Sequence, residues 1–414
     1  MFRMKLGVGA TGKEIADAAD VPFNVSFKSV SRNKWERIQP SEIHYSADKM
    51  LRFAQHHALR EIFLNMICLW HKQASLLYTV TTMKPLTFSI LRLLDDGEFH
   101  SGATIARDLD VSRTSVSTAL YGLDEVGLAV HRVQGRGYRL LDPVQWLEKD
   151  TILKHLGKEA KNFYLEVLDT TKSTNTLLLQ KAARERNYDG ARTSAISVIA
   201  TELQTKGHGQ RGQQWHSGLG DSLTFSLLWK FQKGAHFLSG LSLAIGLAII
   251  GALESFGVKD VALKWPNDVM YHYQKLAGIL VELRGNSLGP TFAVIGIGMN
   301  LKLSNNIKSN IDQSATDLFS IIGYTLDRNK LMAGLLAELA IVLRKFESQG
   351  FKPFRNEWVR HHGFENKPVT LYLPEGSIQK GVVQGVTNDG SLLLQTLAGT
   401  RYFNGGNIKL RKVK

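Results

Sequence analysis

The chain has 414 residues, 43% hydrophobic and 21% charged, which excludes a fibrous or extensively disordered protein and predicts two to four soluble domains. Its net charge of +14 makes polyanions (nucleic acid, nucleotides or acidic proteins) the natural partners. A single cysteine, Cys68, excludes an internal disulfide or a cysteine-rich metal site and fits the reducing cytoplasm.

Residues 1–82 show no sustained period. They read either as an appended helical segment or as sequence upstream of a start at Met83. Neither the opening residues nor the apolar stretch 237–253 reads as a signal peptide or a membrane span, because the stretch is short and broken by serine and glycine. A buried helix over 238–256 is the expectation, with no membrane partner.

From Pro85 the pattern is regular. Phe88, Leu91, Leu93 and Leu94 mark a helix closed by Asp95-Asp96-Gly97, and residues 100–109 give a second. Ser112 is a natural N-cap for a third, over 113–126, stopped by Gly127. Strands at 128–133 and 138–141 flank the turn Gln134-Gly135-Arg136-Gly137. Three short helices followed by a hairpin predict a winged helix-turn-helix over 83–142. A linker with a short helix follows at 143–161. Strand candidates at 163–168, 195–200, 223–229, 261–264, 278–283 and 291–299, with helices at 238–256 and 329–347, predict a mixed α/β domain over 162–365. From Lys367 the alternation of Val369, Leu371 and Leu373, then Val382–Val383 and 392–394, predicts a small β-barrel over 366–414.

Five segments carry residues suited to chemistry. Gly207-His208-Gly209-Gln210-Arg211-Gly212 satisfies G-x-G-x-x-G but does not open a helix, so the dinucleotide fingerprint fails its context. It reads as a mobile surface loop, or as one closing over a phosphate-bearing ligand. Lys264-Trp265-Pro266-Asn267-Asp268 ends a strand. A lysine fixed there can neutralise charge developing on a phosphate, and Asn267 and Asp268 are candidate ligands for Mg²⁺ carried by ATP. Taken singly, the segment reads first as a surface turn with a snorkelling lysine. Lys275-Leu276-Ala277-Gly278 lies within a hairpin's reach and would add a second cation beside a glycine open to a ligand. Ser173-Thr174-Asn175 is a helix cap or a set of hydrogen-bonding groups for a small polar head. Gly296-Ile297-Gly298-Met299-Asn300 closes a strand in a tight turn.

In this order, the motifs resemble the bifunctional biotin–protein ligase and biotin operon repressor family over roughly residues 83–411. Lys264–Asp268 and Lys275–Leu280 are the most specific words, with Glu98-Phe99-His100-Ser101-Gly102 and Gly135-Arg136-Gly137-Tyr138 also matching. The resemblance implies an α+β multidomain chain: a winged helix-turn-helix, a ligase domain of the class II synthetase-like type and an SH3-like barrel. It implies formation of biotinyl-5′-AMP from biotin and ATP with Mg²⁺, then transfer of biotin to a lysine of a carboxylase carrier domain. By motif position, Ser173, Thr174, Asn175, Gln204, His208, Gly209, Gln210 and Lys264 would hold biotin. Arg211, Trp215, Lys264, Asn267, Lys275, Gly296 and Asn300 would hold ATP or the adenylate, with Lys264, Lys275 and Asp268 catalytic.

The resemblance further implies operator DNA as a partner, with Ser112, Arg113, Thr114, Ser115, Ser117 and Thr118 on the recognition helix and Arg132 and Arg136 on the wing. The adenylate would act as corepressor by promoting a homodimer. Two departures stand out. The family's loop reads Gly-Arg-Gly-Arg-Arg-Gly, where this chain has His208 and Gln210, and 303–318 contains no aromatic to fold over adenine. A ligand-sensing repressor without ligase activity and a lipoate–protein ligase are the alternatives.

Overall fold

The computed structural model describes residues 83–414 except 124–127, 185–194, 286–287, 305–306, 309–310, 312–313, 406–407 and 413–414. The segment 1–82 and residues 124–126 of the expected third helix lie outside the described residues; the helix itself stops short of the expectation, at Ala119, with Leu120 as its C-cap.

The helix-turn-helix forms as its caps dictate. Helix α1 (Pro85–Leu93) opens on proline at its first turn and buries Phe88, Ile90 and Leu91. Ser101 caps α2 (Gly102–Asp108) by accepting from Thr104 N, and Ser112 caps α3 (Arg113–Ala119) by accepting from Ser115 N. The wing pairs β1 (Val130–Val133) with β2 (Gly137–Leu140). Gly137 has φ +106°, and a Cβ there would stand 2.0 Å from His100 O, so the wing closes on the start of α2 only with glycine at this position.

This domain shares its core with the next one. Val144, Leu203 and Leu219 pack into the cluster built by Phe88, Leu91, Ile105, Val116 and Leu140. Asp95 accepts from Val144 N at 2.7 Å, and Arg92 pairs with Asp169. Within 143–161, helix α4 (Lys149–Leu156) buries Ile152 and Leu156, and with Leu147 they join the ligase-domain core.

The central sheet has the order β3-β4-β5-β9-β8-β7-β6, built from β3 (Phe163–Thr171), β4 (Ile196–Gln204), β5 (Ser222–Phe231), β6 (Val261–Lys264), β7 (Asp268–Tyr271), β8 (Gln274–Gly285) and β9 (Thr291–Asn300). Among the described strands of this sheet, β3 and β4 alone pair in parallel, and that pair takes the crossover helix α5 (Thr174–Arg184). One sheet face buries Leu223, Phe225, Leu227, Ile295 and Ile297 with α6 (Leu241–Ser255) and α8 (Arg328–Gln349), between which lies the short α7 (Leu318–Ile322). The other face packs Ile199, Leu228 and Val294 on Leu178 and Ala182 of α5. The helix expected at 238–256 is divided: a 3₁₀ turn, Ala235–Leu238, meets α6 at Gly240, whose φ of +79° interrupts the helical path. No described helix is long and apolar enough to cross a membrane.

Helix α9 (Arg355–His361) leads to the C-terminal domain. There β10 (Pro368–Tyr372), β11 (Ile378–Val386), β12 (Leu392–Thr396), β13 (Gly399–Phe403) and β14 (Lys409–Lys412) form an antiparallel sheet of order β13-β12-β11-β10-β14, as the SH3-like class requires. Its buried face, including Val369, Val383 and Leu394, is continuous with the central core. Trp265 Nε1 donates to Gly390 O at 3.1 Å, so the domain is anchored on the segment that carries Lys264.

Candidate active site

A cavity of about 1030 Å³ runs along the ends of the central strands. Most of the sequence-predicted site residues meet in it.

At one end, the crossover from β3 to α5 places Ser173, Thr174 and Asn175 beside Gln204, the last residue of β4, and all four are buried. Thr174 N donates to Gln204 Oε1 at 2.8 Å, and Thr174 Oγ1, 3.2 Å from the same oxygen, lies 2.6 Å from Ser226 Oγ. Ser173 accepts from Thr176 N at 3.4 Å, so it is a helix cap as well as a wall of the cavity. Asn175 is held by Ser226, which donates to Oδ1 at 2.5 Å, and by Glu282, which accepts from Nδ2 at 2.8 Å. Neither Ser226 nor Glu282 was a sequence candidate. Both sit in apolar strands with no surrounding motif, and only the register of β5, β8 and β9 brings them to Asn175.

At the other end, Lys264 closes β6 and pairs in register with Asp268, the first residue of β7. A register shift between Val269 and Met270 then sets Lys275 beside the same carboxylate. Lys275 Nζ stands 2.7 Å from Asp268 Oδ1, and Lys264 Nζ 3.6 Å from Oδ2. Two ammonium groups against one carboxylate leave a positive excess, to which Arg211 and Arg411 add from the cavity wall. Burial pulls the Lys264 amine below its ordinary value, and Asp268 opposes that pull. Arg411, in the last strand, was invisible to sequence reasoning because nothing in Lys409–Lys412 ties it to a site some 140 residues away in the chain.

With Asp268 held between two ammonium groups, it does not fit the role of a metal ligand. No cluster of three or more His, Cys, Asp or Glu side chains suited to a metal occurs among the described residues. Asn267 Nδ2 donates to Ile279 O at 2.8 Å, which leaves its Oδ1 as the candidate contact for Mg²⁺ that enters as MgATP.

The glycine-rich loop opens no helix, as its sequence context implies. His208 bridges to Gln214, Gly209 N donates to Gln213 O at 2.7 Å, and Gln210–Gly212 form a 3₁₀ turn with Arg211 at φ +62°. The loop ends on Trp215, whose ring lies on Gly298: a Cβ there would stand 2.5 Å from it. Lys275 Nζ is 5.9 Å from the ring centroid, so Trp215 and Lys275 together cover Gly278, which the sequence left open to a ligand. Gly296 lies under Asn175, toward the polar end of the cavity. Asn300 is buried behind the wall and donates to Thr316 O at 2.9 Å and Lys275 O at 3.3 Å, tying the segment after β9 to the lysine strand.

The DNA candidates form a separate surface. Arg113, Thr114 and Thr118 are exposed, Ser115 and Ser117 half-buried, and Ser112 exposed but engaged as the cap of α3. On the wing, Arg136 lies 4.2 Å over Phe99 and Arg132 5.8 Å from the Tyr138 ring.

Three family models match in the order of these domains: an HTH domain at 87–139, the biotin/lipoate A/B protein ligase family at 167–300 and the biotin protein ligase C-terminal domain at 365–411. The bifunctional ligase/repressor BirA of Salmonella typhimurium is 35% identical over 80% of this chain and 99% of its own length. The chain belongs to the biotin–protein ligase family. The Escherichia coli ligase/repressor is 34% identical over 78% of this chain and 97% of its own length. Among solved structures, the biotin protein ligase of Aquifex aeolicus in complex with biotin and ATP shares 27% identity, with a TM-score of 0.50 over 60% of this chain and 99% of that one.

In this family member, the segment following β9 is pinned by Asp221, whose backbone oxygen accepts from Leu301 N and Lys302 N and whose carboxylate accepts from Ser304 N at 3.4 Å. Burial pushes the Asp221 carboxyl up to about 7 from 3.8. The folded state then binds its proton more tightly than the unfolded chain. The resulting stabilisation is complete below about pH 4 and is lost as pH rises through 7. Asp221→Asn is expected to flatten the fall in stability between pH 4 and 8, read by urea denaturation across that range. An unchanged pH profile would contradict the assignment.

Proposed function

We infer that this chain is an ATP-dependent biotin–protein ligase and a transcriptional repressor. The observation that carries the ligase reading is the pair Lys264–Lys275 gripping Asp268 at one end of a cavity whose other end is the Ser173–Asn175 and Gln204 cluster. The polar end suits a ureido ring, which needs paired donors and acceptors, and the cationic end suits phosphates.

The biotin carboxylate attacks the α-phosphorus of ATP, forming biotinyl-5′-AMP and releasing pyrophosphate. Lys264 stabilises the charge that grows on the phosphoryl oxygens, and Lys275 holds the phosphates. Asp268 keeps both lysines in place. The glycine-rich loop, with Trp215 at its end, excludes water from the mixed anhydride until a carrier-domain lysine attacks its carbonyl, forming the amide and releasing AMP. Arg211, Asn267, Gly298 and Trp215 line the nucleotide end, with Asn300 acting from behind the wall. The acceptor is the biotin carboxyl carrier domain of acetyl-CoA carboxylase or another biotin-dependent enzyme, and the single cysteine supports a cytoplasmic setting. The α3 face and the wing arginines bind operator DNA, with an adenylate-promoted homodimer spanning two half-sites.

Biotin-dependent exchange of pyrophosphate into ATP tests the ligase reading. Exchange with biotin and none with lipoate is expected; the reverse, or none with either, would overturn it.

The loop carries a second expectation. His208 and Gln210 lack arginine's fixed charge and planar fork, so the adenylate is held less firmly than an arginine-bearing loop would hold it. His208→Arg with Gln210→Arg is expected to slow adenylate dissociation by about tenfold, the worth of one added charged hydrogen bond. Stopped-flow displacement measures it, and no slowing sinks the idea.

A further inference from the structure

A carboxamide on a cavity wall is an ambiguous group, since a half-turn exchanges its acceptor for its donor. At Asn175 the surroundings remove the ambiguity. Glu282, on β8 opposite Val294 of β9, accepts from Nδ2 at 2.8 Å, and the backbone oxygen of Leu280 lies 3.4 Å from the same nitrogen. An ionised carboxylate and a peptide carbonyl can only accept, so both require the NH₂ group to face β8. On the other side, Ser226 donates to Oδ1 at 2.5 Å. The oxygen therefore lies over Gly296, where a Cβ would approach it to 2.2 Å, on the wall of the cavity. Ser226 takes one of its lone pairs, which leaves the second able to accept from a further donor.

The same Glu282 oxygen stands 3.9 Å from Nε2 of His208, the first side chain of the glycine-rich loop. One carboxylate on a central strand thus accepts from Asn175 and stands within ion-pair distance of the loop that lines the cavity.

We propose that Glu282 is a positioning residue for biotin: it locks the Asn175 carboxamide with its oxygen toward the cavity, so that this point of the site receives a ureido N–H and rejects an acceptor. The proposal rests on the biotin-ligase reading. Glu282 does not touch the reacting atoms, so its removal acts on biotin recognition and leaves the phosphate end intact.

The test compares KM for biotin, KM for ATP and kcat for adenylate formation in wild type, Glu282→Gln, Glu282→Ala and Glu282→Lys. Glutamine can still turn a carbonyl oxygen to Asn175 Nδ2 and is expected to stay within about threefold of wild type in KM for biotin. Alanine frees the amide to rotate, raising that KM about tenfold, the effect of one lost oriented hydrogen bond. Lysine turns a donor toward the amide, favours the flipped form and is expected to raise it about a hundredfold, because the site then opposes a donor with a donor. KM for ATP and kcat at saturating biotin stay near wild type in all three. Equal rises in both KM values, or equal effects of glutamine and alanine, would show a merely structural role and overturn the proposal. So would an active wild type with an unmoved biotin KM in Glu282→Ala. A wild type that makes no adenylate from biotin overturns the ligase reading itself, and this inference with it.

Discussion

Lys264→Ala is expected to slow adenylate formation by about 10²–10³-fold, the usual effect of deleting one preorganised charge from a developing oxyanion. Three features of the site make Lys264 the sensitive residue. It ends a strand whose partner, Asp268, meets it in register, so its Nζ is placed by backbone pairing. Its side chain is 23% exposed, and in such a partly dry setting a positive charge acts more strongly on a phosphate than it would in water. Its partner is shared with Lys275 at 2.7 Å, so the truncation leaves Asp268 compensated and the fold intact. Biotin affinity should fall less than the rate, because the Ser173–Asn175 and Gln204 cluster lies at the opposite end of the cavity. Single-turnover quench measurements give the rate and calorimetry gives the affinity. A rate within about threefold of wild type would remove Lys264 from the mechanism, since an effect of that size is less than one ordinary hydrogen bond.

The second large effect is on stability. Arg328→Met is expected to cost about 3–5 kcal/mol, because breaking a buried pair leaves an uncompensated charge in the interior. Arg328 is the first residue of α8 and, like Glu202 on β4, is almost wholly buried. Its guanidinium lies 2.8 Å from Glu202 and also donates to Gln145 O and, at 3.1 Å, to Ser222 O. Glu202 in turn accepts from Leu147 N at 2.6 Å. One ion pair thus fastens the segment before α4, the middle of the sheet and the long helix. Glu202 directly precedes Leu203, in the helix-turn-helix core, and Gln204, in the candidate biotin cluster. Replacing both partners by apolar or neutral groups of similar size is far less harmful than replacing one. Glu202→Gln with Arg328→Met should therefore recover most of the loss. Urea denaturation of the single and double variants checks this, and additive losses in the double variant would show that the two residues act independently.

These two sites also mark what could be read in the sequence. Lys264-Trp265-Pro266-Asn267-Asp268 was legible because its parts are adjacent in the chain and recur in a fixed order with Ser173-Thr174-Asn175, the glycine-rich loop and Lys275. The helix cap at Ser112 is legible for the same reason: the cap and the amide it satisfies are three residues apart. Glu202 and Arg328 are separated by 126 positions, and Asn175 and Glu282 by 107, so no local pattern announces either pair. The segment 143–161 reads as a linker because its buried residues, Val144, Leu147, Ile152 and Leu156, are too few to set a long period, yet each finds a place in a core. The expected helix over 238–256 ran through Gly240 because glycine's positive φ is a property of the packed turn against Phe351, which the sequence does not display. Asp268, a candidate metal ligand by residue type, became an ion-pair partner only when the register brought both lysines to it.

The two ends of this cavity together join biotin to a protein through its adenylate. Incubating the full chain with ATP, Mg²⁺, biotin and a biotin carboxyl carrier domain, then weighing the carrier intact, tests it most directly. A mass gain of one biotinyl group on the carrier, lost in Lys264→Ala, is the expected result. No gain, or a lipoyl gain when lipoate replaces biotin, would contradict it.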